Sequence, residues 1–199
     1  FLHWDPVAPR QPIAASPLPT AVCAEGSGTA TFRTSWNRDA LFAAILGGGR
    51  STACHGHSHA DCGHIDLAVG GEYLAVDTGR YNTNEDQHSV VLIDGANRNP
   101  SSAPGKGMCY DLTAGRLGRF QRHPLLDYCV ADATAMKSVR WALRHFLFIR
   151  TGGETGYVVL LDNINVDSGD ATHTYWWQLQ CATTARIAEA SAGSVSAAR

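Results

Sequence analysis

The sequence predicts an all-β fold, an antiparallel β-sandwich, and two features carry that expectation. Apolar residues come in short runs, continuous or alternating with polar neighbours, from Thr29 to Cys181. Turn signals separate the runs: Gly47-Gly48-Gly49, Gly70-Gly71, Asp94-Gly95, Gly152-Gly153 and the polar stretch from Asp167 to Asp170. Many short strands punctuated in this way pack as sheets face to face rather than as a helical bundle, so helix is expected to be nearly absent.

Residues 1–24 read as a linker or irregular lead-in, with five prolines in the first 20 positions and little periodicity. Residues 25–199 read as one sandwich domain. Its candidate strands are 29–34, 40–46, 64–69, 72–77, 88–93, 126–134, 139–149, 156–162 and 173–181. Residues 97–120 are rich in Gly, Ser and basic residues and read as a long loop with room for one short strand. Residues 182–199 fit a frayed strand or a weak helix equally well.

Composition narrows the function classes. Apolar residues make up 44% and charged residues 17%, a globular balance. The net charge of −2 speaks against a nucleic-acid partner, which usually selects a strong basic excess. No apolar run approaches the ~18–20 residues of a membrane span, so no membrane partner is expected. The chain opens on Phe1 without a signal peptide and reads as a piece of a longer protein, so its start says nothing about compartment. Six cysteines at irregular spacing do not form a disulfide framework and read as buried small hydrophobes. Cys54 and Cys62 flank a histidine cluster, which leaves one of them open as a metal ligand.

That cluster is the strongest chemical signal. Five of nine histidines lie between His55 and His88. In an extended segment residues two apart share a face, so His55, His57, His59 and Asp61 project together. Imidazole and carboxylate on one face are the donors that zinc and similar ions take. A solvated polar loop is the bland alternative. A hairpin follows: Ile65 to Val69, a turn at Gly70-Gly71, then Glu72 to Val76, which returns Asp77 to the cluster. A two-residue turn pairs Asp77 with His64 and a three-residue loop pairs it with Ile65, so His59 and His64 compete for Asp77. A short loop then lets His88 open a further strand at the same end of the sheet.

The text HSHADCGHIDLAVGGEYLAVDTGRY, followed by HSVVLIDG, resembles the signature of heparinase II/III-like polysaccharide lyases: His-x-His-x-Asp, a hairpin, Asp-x-Gly-x-Tyr, then a strand from His to Asp-Gly. Upstream, FRTSWNRDALFAAILGGG is similar to the family's Arg-Ser-x-Trp segment. Downstream, RHFLFIR, GYVVLLDNI and HTYWWQLQ resemble its later sandwich strands. The likeness runs over roughly residues 25–181.

The resemblance implies a C-terminal super-sandwich that works beside an N-terminal α-toroid domain, which this chain lacks. It implies cleavage of uronic-acid polysaccharide, such as heparan sulfate or alginate, by β-elimination, in a periplasmic or extracellular setting. By position, His59, Asp77 and His88 match the family's zinc ligands, the ion having a structural role. His57 matches an active-site histidine and Tyr81 a tyrosine near the site. The family's His-Asn after the metal loop reads His88-Ser89 here, and that loop is short, which leaves the substrate subclass open. Arg50, Arg80 and Arg98 lie on loops at the same end and offer donors for a substrate carboxylate or sulfate. Tyr175-Trp176-Trp177 could be a sugar platform, but alternation sends neighbours to opposite faces, so at least one is expected in the core.

Three other readings compete, one of them a cupin-like metal enzyme, which His57-x-His59 fits but whose Glu does not follow at the right distance. His57-x-His59-x-Asp61 begins a metallohydrolase motif, but Cys62 stands where that motif needs His. A non-catalytic carbohydrate-binding sandwich would share the fold and bind oligosaccharides without cleaving them.

Overall fold

The computed structural model describes residues 13–48, 59–79, 81–82, 84–95, 115–137, 139–166, 172–183, 186–191 and 194–198, the last two stretches as backbone. The fold is an antiparallel β-sandwich. Strands β1 (Ala21–Ala24), β2 (Thr29–Arg33), β3 (Phe42–Leu46), β4 (Ile65–Val69) and β5 (Glu72–Ala75) form one sheet in chain order. Strand β6 (Val91–Ile93) leaves that meander. Strands β7 (Arg116–Gln121), β8 (Leu126–Asp132), β9 (Trp141–Gly152) and β10 (Thr155–Asn165) make the second sheet, ordered β10-β9-β8-β7. Strand β11 (Tyr175–Trp177) pairs with β6, and β12 (Arg186–Ser191) with β13 (Ser194–Ala198). One helical turn, α1 (Thr134–Lys137), links β8 to β9. No helix among the described residues is long and apolar enough to cross a membrane.

The core lies between the two large sheets. Alternation sends every second side chain of β2 and β9 inward. Phe32 of the first sheet stacks on Phe146 and Phe148 of the second, with ring centroids 4.8 and 5.9 Å apart. All three rings are fully buried, and each such burial is worth about 1.5–3 kcal/mol. At one end Arg150 crosses between the sheets: its Nη2 donates to Arg33 O at 3.2 Å and to Asp127 Oδ2 at 2.5 Å.

The hairpin register combines the two predicted options. Val69 faces Glu72 across Gly70-Gly71, a two-residue turn. Both glycines have positive φ (60° and 76°), which the mirror-image hairpin turns require and other residues resist. A bulge at Leu74 then shifts the pairing by one, so that Leu67 faces Ala75. Continued, that register sets Asp77 opposite Ile65. The bulge thus restores the outcome of the longer loop.

Several elements differ from expectation. β1 falls within the predicted lead-in. Its four residues become a strand through pairing with β2 rather than through any pattern of their own. β7 is the one short strand that the predicted loop left room for, running one residue past its end, and the undecided tail holds β12 and β13. β6 starts at Val91, three residues after His88, and does not pair directly with β5. The segment following β11 lies between them: Val76 N–H donates to Gln180 O, Ala182 N–H to Leu74 O, and Gln178 N–H to Val90 O.

Candidate metal centre

Three parts of the chain converge beyond the open end of the β4–β5 hairpin. His59 lies on the approach to β4, Asp77 just past β5, and His88 ahead of β6. One ligand atom from each lies within 4.8 Å of the other two. Asp77 Oδ2 is 3.0 Å from His88 Nδ1, and its Oδ1 accepts the Gly79 N–H at 2.6 Å. His88 is completely buried and follows a 3-10 turn, Glu85–Gln87. The Gln87 side chain accepts the Asn84 N–H at 3.0 Å, and the Gln87 N–H donates to Asn84 O at 3.0 Å. Glu85 is itself buried, in an ion pair with Lys137 of α1, whose ammonium also donates to Val91 O at 2.7 Å. The segment carrying His88 is therefore fastened on both sides.

The donor set fits a zinc ion. Two imidazoles and a carboxylate are a common protein contribution to such a site. His88 Nε2 is buried without a hydrogen-bond partner among the described residues, an orphan that a ligand role for this ring would account for. Burial lowers the His88 pKa to about 4 against the opposing pull of Asp77, so the ring is neutral, as a ligand must be. Asp61 shares the field of the cluster: burial raises its pKa to about 6, while His59 and His64 pull it back.

His64 also reaches the cluster, in a different capacity. Its Nδ1 accepts the Ser89 N–H at 2.9 Å, which leaves the proton on Nε2. That nitrogen faces Asp66 Oδ1 at 3.4 Å and Asp77 Oδ2 at 3.8 Å. Both nitrogens of His64 are thus engaged, and His59 and His88 remain for a ligand role.

The profile of the heparinase II/III-like, C-terminal family matches residues 22–103, a stretch that contains the whole cluster. Over that stretch the chain is similar to the C-terminal domains of that family. Two solved structures share its fold: heparan sulfate lyase HepC from Pedobacter heparinus and a mutant of it. The mutant superposes with a TM-score of 0.55 at 17% identity, over 74% of this chain and 22% of that one. The unmutated enzyme gives 0.54 at 17% identity, over 73% and 22%. The chain thus spans about a fifth of the length of those lyases. Comparison with curated proteins finds no match.

The remaining predicted residues separate. His55, His57, Arg50, Arg80, Arg98 and Cys54 lie outside the described residues. Tyr81 is 88% exposed, on the turn between β5 and the 3-10 turn. Cys62 is a core residue rather than a ligand, its thiol pushed up to about 12 by burial. Tyr175, Trp176 and Trp177 are all about half exposed, so none of them is the core residue that alternation predicted. The pairing partner β6 is buried throughout, whereas β11 is exposed along its length.

Sequence reasoning missed Arg144, Asp162 and Ser89. Arg144 carried a signal: it falls in phase with the buried Ala142, Phe146 and Phe148 of β9. A charge at a core position must be paired.

Proposed function

We propose that this chain is the β-sandwich part of a polysaccharide lyase that cleaves uronic-acid-containing polysaccharide by β-elimination. The convergence of His59, Asp77 and His88 carries the reading: these are the residues the family resemblance selects, and they meet although they come from three separate segments. They would hold a zinc ion, which when bound would cross-link the approach to β4, the segment just past β5 and the approach to β6. The role is structural, since the ion would pin these three segments together.

In the elimination a base removes the proton α to the uronate carboxylate. Electropositive groups stabilise the resulting anion, and an acid protonates the leaving glycosidic oxygen. His57, two residues before His59 in sequence, is the proposed active-site histidine, and Tyr81 a second proposed catalytic residue. Arg50, Arg80 and Arg98 are proposed to meet the carboxylate or sulfate groups of the substrate. The partners are an acidic polysaccharide, heparan sulfate- or alginate-like, and an N-terminal α-toroid domain, in the periplasm or outside the cell. The exposed Tyr175-Trp176-Trp177 stripe favours one other reading, a non-catalytic carbohydrate-binding sandwich.

The test is the ultraviolet absorbance of unsaturated uronate, measured with the full-length protein on a panel of uronate polysaccharides. Product formation that His57→Ala abolishes supports the lyase reading. Binding without cleavage on every substrate replaces it with the second.

A further inference from the structure

Arg144 is 4% exposed, and four of its five guanidinium N–H groups have acceptors. Asp162 on the neighbouring β10 takes Nε at 2.7 Å and Nη2 at 3.0 Å, a bidentate pair. Nη1 donates to two backbone carbonyls, Gly63 O and Ser89 O, each at 2.7 Å. Gly63 immediately precedes His64, and Ser89 immediately follows His88. One nitrogen of the second sheet therefore holds together the two segments that carry the buried histidines.

The consequence passes to a ring. With Gly63 and Ser89 held on one donor, the Ser89 N–H is set against His64 Nδ1. That bond keeps the His64 proton on Nε2, where it faces Asp66 Oδ1 and Asp77 Oδ2. We infer that Arg144 is a positioning residue: its fork fixes the His64–Ser89 hydrogen bond, hence the His64 tautomer and the orientation of the Asp77 carboxylate beside His88. The link from Asp77 to an ion rests on the zinc reading above; the link from Arg144 to His64 does not. Lysine, a single point charge on a flexible stem, cannot span a carboxylate and two carbonyls at once.

The experiment uses the full chain and the variants Arg144→Lys and Arg144→Met. Arg150→Lys, at the far end of the sandwich, controls for general loosening. Nitrogen-15 spectra of the metal-free chain read the His64 tautomer, and hydrogen exchange reads the Ser89 amide. Wild type and Arg150→Lys are expected to show one tautomer, protonated on Nε2, and a protected Ser89 amide. Arg144→Lys is expected to mix the tautomers and speed Ser89 exchange at least tenfold. Zinc affinity by chelator competition is expected to fall about 10–100-fold in Arg144→Lys and to hold in Arg150→Lys. A single Nε2–H tautomer with a protected Ser89 amide in Arg144→Lys overturns the inference, whatever zinc does. A mixed tautomer in a protein whose wild type binds no zinc upholds the positioning role and sinks the metal reading instead. A mixed tautomer with unchanged zinc affinity overturns the step from His64 to Asp77. Should both Arg144 variants fail to fold, Asp162→Asn takes their place: it keeps the guanidinium but removes its bidentate anchor, and the same readouts apply.

Discussion

The middle of the sandwich and the end that carries the candidate metal cluster are held by opposite means. In the middle, Phe32, Phe146 and Phe148 are fully buried and stack across the sheets. Such contacts have no direction beyond shape, and their strength scales with area. At the site end the buried groups are His64, His88, Glu85, Ser89, Lys137 and Arg144. Nearly every donor and acceptor there has a named partner. Burying matched polar groups adds little net stability, whereas removing one partner leaves the other unsatisfied. The middle therefore supplies free energy, and the end converts some of it into fixed geometry.

The largest expected effect tests the middle. Phe146→Ala is expected to lower unfolding free energy by about 3–5 kcal/mol in urea titrations, while leaving zinc stoichiometry intact in the folded fraction. Loss of zinc without loss of stability would break the division of roles. At the site end, Lys137→Met strands the buried Glu85 carboxylate and is expected to cost about 3 kcal/mol. The double variant with Glu85→Leu is expected to recover most of that, since it removes both charges; an additive double variant would contradict the pairing.

A pH series sharpens the contrast further. In the metal-free chain His88 has a folded pKa of about 4, below the roughly 6.5 of an unfolded histidine. Its contribution to stability is present above about pH 6.5 and is lost as pH falls to about 4. Asp61 runs the other way. Its folded pKa of about 6 exceeds the unfolded value, so its contribution is present at low pH and is lost as pH rises to about 6. The two slopes oppose one another between about pH 4 and 6. Asp61→Asn removes one of them, and the metal-free variant is expected to lose up to about 3 kcal/mol on acidification from pH 6.5 to 4. Urea midpoints across that range would check it; a variant as flat as wild type would contradict the assignment.

Local patterns made much of the architecture legible. β2 to β5 and β8 to β10 follow apolar periodicity and glycine turns, and His59, Asp77 and His88 follow spacing together with the family resemblance. What stayed hidden was non-local. No local pattern announces the bulge at Leu74, which decides where Asp77 lands. The Lys137–Glu85 pair and the Arg144 fork join residues far apart in sequence. β1 and β7 are strands because of their neighbours. Nor does any local pattern announce that all three aromatics of β11 stay about half exposed while its in-sheet partner β6 is buried.

The most direct test of the central claim is metal analysis joined to thermal melts, with and without chelator, of wild type, His59→Ala, Asp77→Ala, His88→Ala and His64→Ala. One zinc per wild-type chain is expected, with a melting point that chelator lowers. The first three variants should lose the ion and the chelator response, and His64→Ala should retain the ion at reduced affinity. A wild type without stoichiometric metal and indifferent to chelator would contradict the site, and zinc lost from His64→Ala but kept by His59→Ala would contradict the choice of ligands.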